Sequence, residues 1–224
     1  MSKRLAPGSV RTRATTLEDK AEVRKAFIAA GRKLLADQPH GDVSLRRIAA
    51  EAGYTPGTIY QYFQDYHALL FAIREIDLQA ATEKFEALAA AIDDPATRVR
   101  VLAKGSAKYW LQHPDQFDVL FSRPPSKDAT SDLHVIFGRS PVVQRALKVY
   151  YSTVDELFRT LQTSKISSRL AADTLIATTY GIVAFPRSTH TMRWSNQYRM
   201  AECAIDALVD NWPHIDTRSV MVYP

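Results

Sequence analysis

The chain has 224 residues, 46% of them hydrophobic, enough apolar mass for one large domain or two small ones. Its lone cysteine, Cys203, excludes an internal disulfide framework and fits a reducing, cytoplasmic setting. No apolar run reaches the ~18 residues of a membrane span, so no membrane partner is expected. The net charge of +5 is uneven: residues 1–67 carry 11 Lys/Arg against 7 Asp/Glu, and residues 68–224 carry 18 against 17. The basic excess in the first third fits a polyanion partner or a merely soluble surface.

Residues 1–17 hold Lys3, Arg4, Arg11 and Arg13, no acid, and Pro7-Gly8, and read as a disordered basic arm. A first helix spans about 17–37, with Val23, Phe27, Ala30, Gly31 and Leu34 on one face. After "QPHGD" (38–42), Ser44 is an N-cap for a second helix to about Ala52, with Leu45, Ile48, Ala49 and Ala52 inward. A third helix covers about 56–63. Asp65 caps a long fourth, to about Ile92, whose inner face is Leu69, Leu70, Ile73, Asp77, Ala81, Phe85, Leu88 and Ile92. Asp94-Pro95 and Ser140-Pro141 each pair a cap with a proline at the first helical position, opening helices to about Gln112 and Gln162. Between them lie a short helix after His113-Pro114 and the loop "SRPPSKDATSD" (122–132). Two more helices follow, about 167–185 and 194–211, with Pro186 and Pro213 as stops. The fold expected is all-α, with about nine helices.

The stretch "AGYTPGTIYQYFQDY" (52–66) carries the most chemistry. Gly53 suits the left-handed residue that ends a helix. Thr55 caps the next one, and Pro56 takes its first turn. Two helices joined by about four residues have helix-turn-helix spacing. Ile59, Tyr62 and Phe63 pack inward, while Gly57, Tyr60, Gln61 and Gln64 share the other face. A short helix with such a face fits a major groove: Gly57 permits close approach, Gln61 reads a base edge, and Tyr60 reaches a phosphate or sugar. A tight helical corner with no DNA role is the alternative.

The segment "SLRRIAAEAGYTPGTIYQYFQDYHALL" (44–70) resembles the DNA-binding domain of the TetR (tetracycline repressor) family of bacterial regulators. It keeps Ile48-Ala49, Ala52-Gly53, Thr55, Ile59-Tyr60, Phe63 and Leu69-Leu70 in register. The likeness covers about residues 20–75. "AKYWLQHPDQFDVLF" (107–121) is more loosely similar to the ligand domain of one branch. The resemblance implies a homodimeric, double-stranded-DNA-binding regulator. Its helix-turn-helix domain would span 18–66, its effector-binding and dimerisation domain 67–213, and its tail 214–224. Position by position it implies that Ser44 and Thr55 hold phosphates and that Arg46 approaches DNA from helix 2. Pro56, Gly57, Thr58 and Gln61 would line the groove, and Tyr60 would grip a phosphate. Tyr66 and His67 stand where the family has Lys and Glu, so a charged phosphate contact becomes at most a neutral hydrogen bond from Tyr66. Tyr54 stands where a small aliphatic residue is usual, which alters the packing of helices 2 and 3. The basic arm offers compensation by reaching the minor groove.

No nucleophile elbow, zincin motif, P-loop or dinucleotide fingerprint is present, and the six histidines lack metal-ligand spacing, so neither enzyme activity nor a cofactor is expected. The later helices are rich in aromatics. Phe85, Tyr109, Trp110, Phe117, Phe121, Tyr150 and Tyr180 fit a pocket for a small, largely apolar effector, or simply a core. Thr178, Gly181 and Ala184, with Ile205 and Leu208 on the last helix, fit a dimer bundle or close packing within one chain. Cys203 reads as a small buried residue and His113 as structural. The function expected is a repressor released from a pseudo-palindromic operator by the effector. The alternatives are a DNA-binding protein without effector control and a small-molecule-binding helical protein with an incidental helix-turn-helix.

Overall fold

The computed structural model describes residues 16–37, 43–122, 140–161, 165–189 and 191–215. The basic arm to Thr15, residues 123–132 of the loop expected at 122–132 and the tail from residue 216 lie outside them. Among the described residues there are nine α-helices and no strand. The chain divides into two compact units.

The first unit holds α1 (Leu17–Asp37), α2 (Leu45–Glu51), α3 (Pro56–Ile59) and the opening turns of α4 (Tyr66–Ala90). Its core closes on Phe27, Ile48, Ile59, Leu69 and Ile73, none of which keeps exposed surface. Gly31 lets α1 approach α4: a Cβ there would stand 3.1 Å from a methyl of Ile73 and 3.2 Å from one of Leu69. Asp77, expected on an apolar face, is buried and forms an ion pair with Arg32 of α1. That pairing offsets the cost of withdrawing its carboxylate from water.

The boundary falls after Asp77, within α4, rather than near residue 66. No helix break separates Tyr66 from Ala90, and Leu69, Leu70 and Ile73 are core residues of the first unit. A later stretch beginning at Asp118 also joins this unit. It opens with a π-helical turn, Asp118–Ser122, whose Val119 sits in the core and accepts a hydrogen bond at its carbonyl from Arg74 Nε (2.8 Å).

The second unit is built round α5 (Pro95–Gln112), which packs against α7 (Pro141–Thr160), α8 (Ser168–Ser188) and α9 (Gln197–Asn211). Val99, Leu102, Ala103, Ala107 and Trp110 line its buried face. α6 (Pro114–Phe117) follows directly. The expected caps form: Asp94 accepts from Thr97 N (2.8 Å) and Ser140 from Val143 N (3.4 Å). Pro186 does not stop α8, which runs on to Ser188 with the proline buried inside it. On α9, Ala201, Ile205 and Val209 face inward, and Cys203, expected buried, is exposed on another side.

Candidate nucleic-acid interface and effector site

The turn between α2 and α3 is a Schellman motif. Tyr54 N donates to Ala49 O (2.9 Å) and Gly53 N to Ala50 O (3.0 Å), with Gly53 at φ +80°. Ser44 caps α2 by accepting from Arg47 N (3.4 Å). Thr55 behaves differently from expectation: its hydroxyl meets that of Thr58 (2.8 Å) and accepts no backbone N–H at the start of α3. α3 is also shorter than expected. It ends at Ile59, and Tyr60–Tyr62 continue as a turn in which Gln61 N donates to Thr58 O (3.1 Å) and Phe63 N to Ile59 O (3.0 Å). One helical turn, opened by Pro56, and the turn that follows it are held by the burial of Ile59 and Phe63.

Ser44, Arg46, Thr55, Pro56, Gly57, Tyr60 and Gln61 are exposed; Thr58 and Tyr66 are half-buried. A Cβ added at Gly57 would meet nothing within 4 Å, so its bare backbone is open to a ligand. Arg46 makes no ion pair among the described residues, whereas nearby Glu51 is held by Lys33 (2.5 Å). Tyr54 and Tyr62 both pack on the Phe27 ring, at centroid distances of 5.1 and 5.5 Å. The unusual tyrosine at position 54 therefore anchors the turn to α1. The start of α4 has no cation; Asp65 caps it through Ala68 N (2.8 Å).

In the second unit the expected aromatic set assembles, with one exception. Phe85 stands edge-on to Tyr109 (5.6 Å), Trp110 (6.0 Å) and Tyr150 (6.4 Å). Phe117 meets Trp110 (5.9 Å) and Tyr180 (6.0 Å). Phe121 is 45% exposed and lies in the π-helical turn of the first unit. Phe85, Trp110 and Phe117 are sealed, so they form core as much as wall. Polar groups punctuate the cluster. Tyr150 OH donates to Ser106 Oγ (2.6 Å), which donates to Ala103 O (2.9 Å). Burial raises the Tyr150 pKa well above that of a free phenol. It pushes Tyr180 up to about 12.

Two cavities in this unit escaped the sequence reading. One, about 370 Å³, runs between α4 and α5 beside Phe85 and Tyr109. The other, about 550 Å³, lies between α4 and α7 and is bordered by Arg145, which grips Glu86 with two bonds (2.8 and 2.5 Å) and holds its pKa below the usual carboxylate value. Of the residues expected at a dimer interface, Gly181 is exposed, and Thr178, Ala184 and Leu208 are half-buried. Ile205 has no exposed surface and belongs to the protomer's own core.

Residues 27–73 match the model of bacterial regulatory proteins of the tetR family. An HTH-type transcriptional repressor of Mycobacterium tuberculosis is 27% identical over 153 residues, 68% of this chain and 73% of the relative. Among solved structures, the transcriptional regulator FadR from Bacillus subtilis, in complex with stearoyl-CoA, aligns with a TM-score of 0.68 at 14% identity. It covers 83% of this chain and 97% of its own. A TetR family transcription regulator from Marinobacter aquaeolei aligns with a TM-score of 0.62 at 18% identity, covering 87% and 97%. Helix order, the turn at Gly53 and these likenesses agree: the chain has the all-α fold of TetR family transcription regulators, and residues 27–73 resemble the matching segment of that family.

Proposed function

We propose that this regulator acts as a homodimeric, cytoplasmic repressor, lifted from a pseudo-palindromic operator when an apolar effector occupies the second unit. The observation that carries the DNA-reading half is the exposed face of Gly57, Tyr60 and Gln61, mounted on a turn whose opposite side, Ile59 and Phe63, is buried. Gln61 would read a base edge, Tyr60 and Ser44 would hold phosphates, and Arg46 would add charge. The half-buried surface of Thr178, Ala184 and Leu208, with exposed Gly181, supports a two-fold helical interface. The Phe85–Trp110–Tyr180 cluster and the neighbouring cavities support an effector site, as does the stearoyl-CoA carried by a fold neighbour.

The sealed state of Phe85, Trp110 and Phe117 favours a second reading, DNA binding without effector control. One experiment separates the two. Selection of bound DNA from a random pool should return a two-fold symmetric site. Adding ligands to that complex should then release it for at least one apolar compound. An asymmetric consensus would overturn the dimer, and no release across a broad panel would leave only the second reading.

A further inference from the structure

Resting on the effector reading, we propose that the cleft between α4 and α5 takes a monocarboxylate with a long apolar chain, its head held by Lys84 and Lys108. Both helices present one stripe to this cavity of about 370 Å³: Lys84 and Leu88 from α4, with Ala91 just after it, and Gly105, Lys108 and Gln112 from α5. The lining contains no Asp or Glu. Two exposed cations thus border an apolar trough without a counter-ion, since neither lysine forms an ion pair or hydrogen bond among the described residues.

The rest of α5 sets the contrast. Arg98 binds Glu156, Arg100 binds Asp206 and Asp210, and Lys104 binds Asp206 (2.7 Å). Lys108, one turn further on, has no such acid. On α4, Glu83 beside Lys84 accepts from Gln79 (3.1 Å) instead. Charge selects an anion over an amine or a neutral chain. A single carboxylate fits better than a phosphate because no arginine lines the cleft to offer a planar, two-pronged grip. The Gln112 amide supplies a further donor.

Leu88 forms part of the trough's apolar wall. Its side chain lies on the bare backbone of Gly105, where a Cβ would come within 2.4 Å of Leu88 Cδ1. Gly105 thereby lets α5 approach α4 closely along the trough.

The test uses the full chain and calorimetry with dodecanoate, dodecylammonium, dodecanol and dodecyl phosphate, all below their micellar concentrations. Dodecanoate should bind once per chain and at least tenfold more tightly than dodecylammonium. The double variant Lys84→Gln/Lys108→Gln should lose at least tenfold for dodecanoate and nothing for dodecanol. Both lysines are exposed, so its melting curve should match the parent's. Equal binding of the acid and the amine, or an unchanged double variant, would overturn the proposal. Tighter binding of dodecyl phosphate would overturn the choice of carboxylate. Operator affinity distinguishes the two readings. Dodecanoate that binds through the lysines but leaves DNA binding unchanged removes effector control and keeps the site. Release that the double variant does not alter removes the site and keeps effector control.

Discussion

Gln197 donates its side-chain amide to the carbonyl of Ile182 at 3.1 Å, and Ile182 lies four residues before Pro186, which has no N–H to offer it. The same amide also reaches Val183 O at 3.3 Å. A proline inside a helix leaves such a carbonyl orphaned. Here the first residue of α9 supplies the missing donor, so α8 continues through its own break. Gln197→Leu should cost about 1–2 kcal/mol in chemical denaturation, the penalty of a part-buried acceptor left unsatisfied. In a Pro186→Ala background the same change should cost much less, because residue 186 then serves Ile182. Equal costs in both backgrounds would show that Gln197 does not compensate for the proline.

The proposed recognition divides between two neighbours. Tyr60→Ala should weaken binding to every DNA sequence by a similar factor, because it removes the proposed phosphate contact. Gln61→Ala should relax preference at one base position by about 1–3 kcal/mol. Binding measured against a library of single-base operator variants checks both. A Gln61 variant with the parent's full preference would take α3 out of the groove.

Gly181 allows a clean test of assembly. It is exposed, and an added Cβ would meet no atom within 4 Å, so an arginine there fits the isolated protomer. Gly181→Arg should yield a folded monomer by light scattering, with operator affinity reduced at least tenfold. A dimer that survives the substitution places the two-fold axis elsewhere.

Tyr180 gives stability a signature in alkali. Its folded pKa of about 12 exceeds the ordinary 10.0, because burial disfavours the phenolate. Folding stability is therefore fully present below pH 10 and declines as pH rises towards 12, by roughly 2–3 kcal/mol from this group alone. Tyr150 acts in the same direction. Denaturant titrations at several pH values should show the fall, and Tyr180→Phe should flatten it. An unchanged slope in the variant would assign the alkaline loss to other groups.

Much of the architecture was legible because its signals are local. Asp94-Pro95 and Ser140-Pro141 mark helix starts without reference to anything distant, and Gly53 marks the turn by its backbone alone. Beyond Thr55 and the length of α3, the misreadings depend on what lies across space. Pro186 fails to stop α8 because of an amide 11 residues away in sequence. Ile205 and Leu208 are close on one helix, and only the packing of α9 against α5 and α8 turns Ile205 inward and leaves Cys203 outside. Phe117 and Phe121 looked equivalent by residue type. The π-helical turn carries them to different units. Lys84 and Lys108 were invisible as a pair, since 24 positions separate them until α4 and α5 pack together.

Val119 has a consequence for biosynthesis. It fills the core of the first unit and accepts the Arg74 hydrogen bond, yet it is encoded 42 codons after Asp77, the last residue of that unit's opening stretch. As the ribosome releases the chain, α1 to α3 emerge early but cannot complete their core; the whole of α5 must follow first. A fragment ending at Asp77 is therefore an unfinished reading head rather than a minimal one, and its pulse-labelled amides should exchange faster than those of a fragment extended through Ser122.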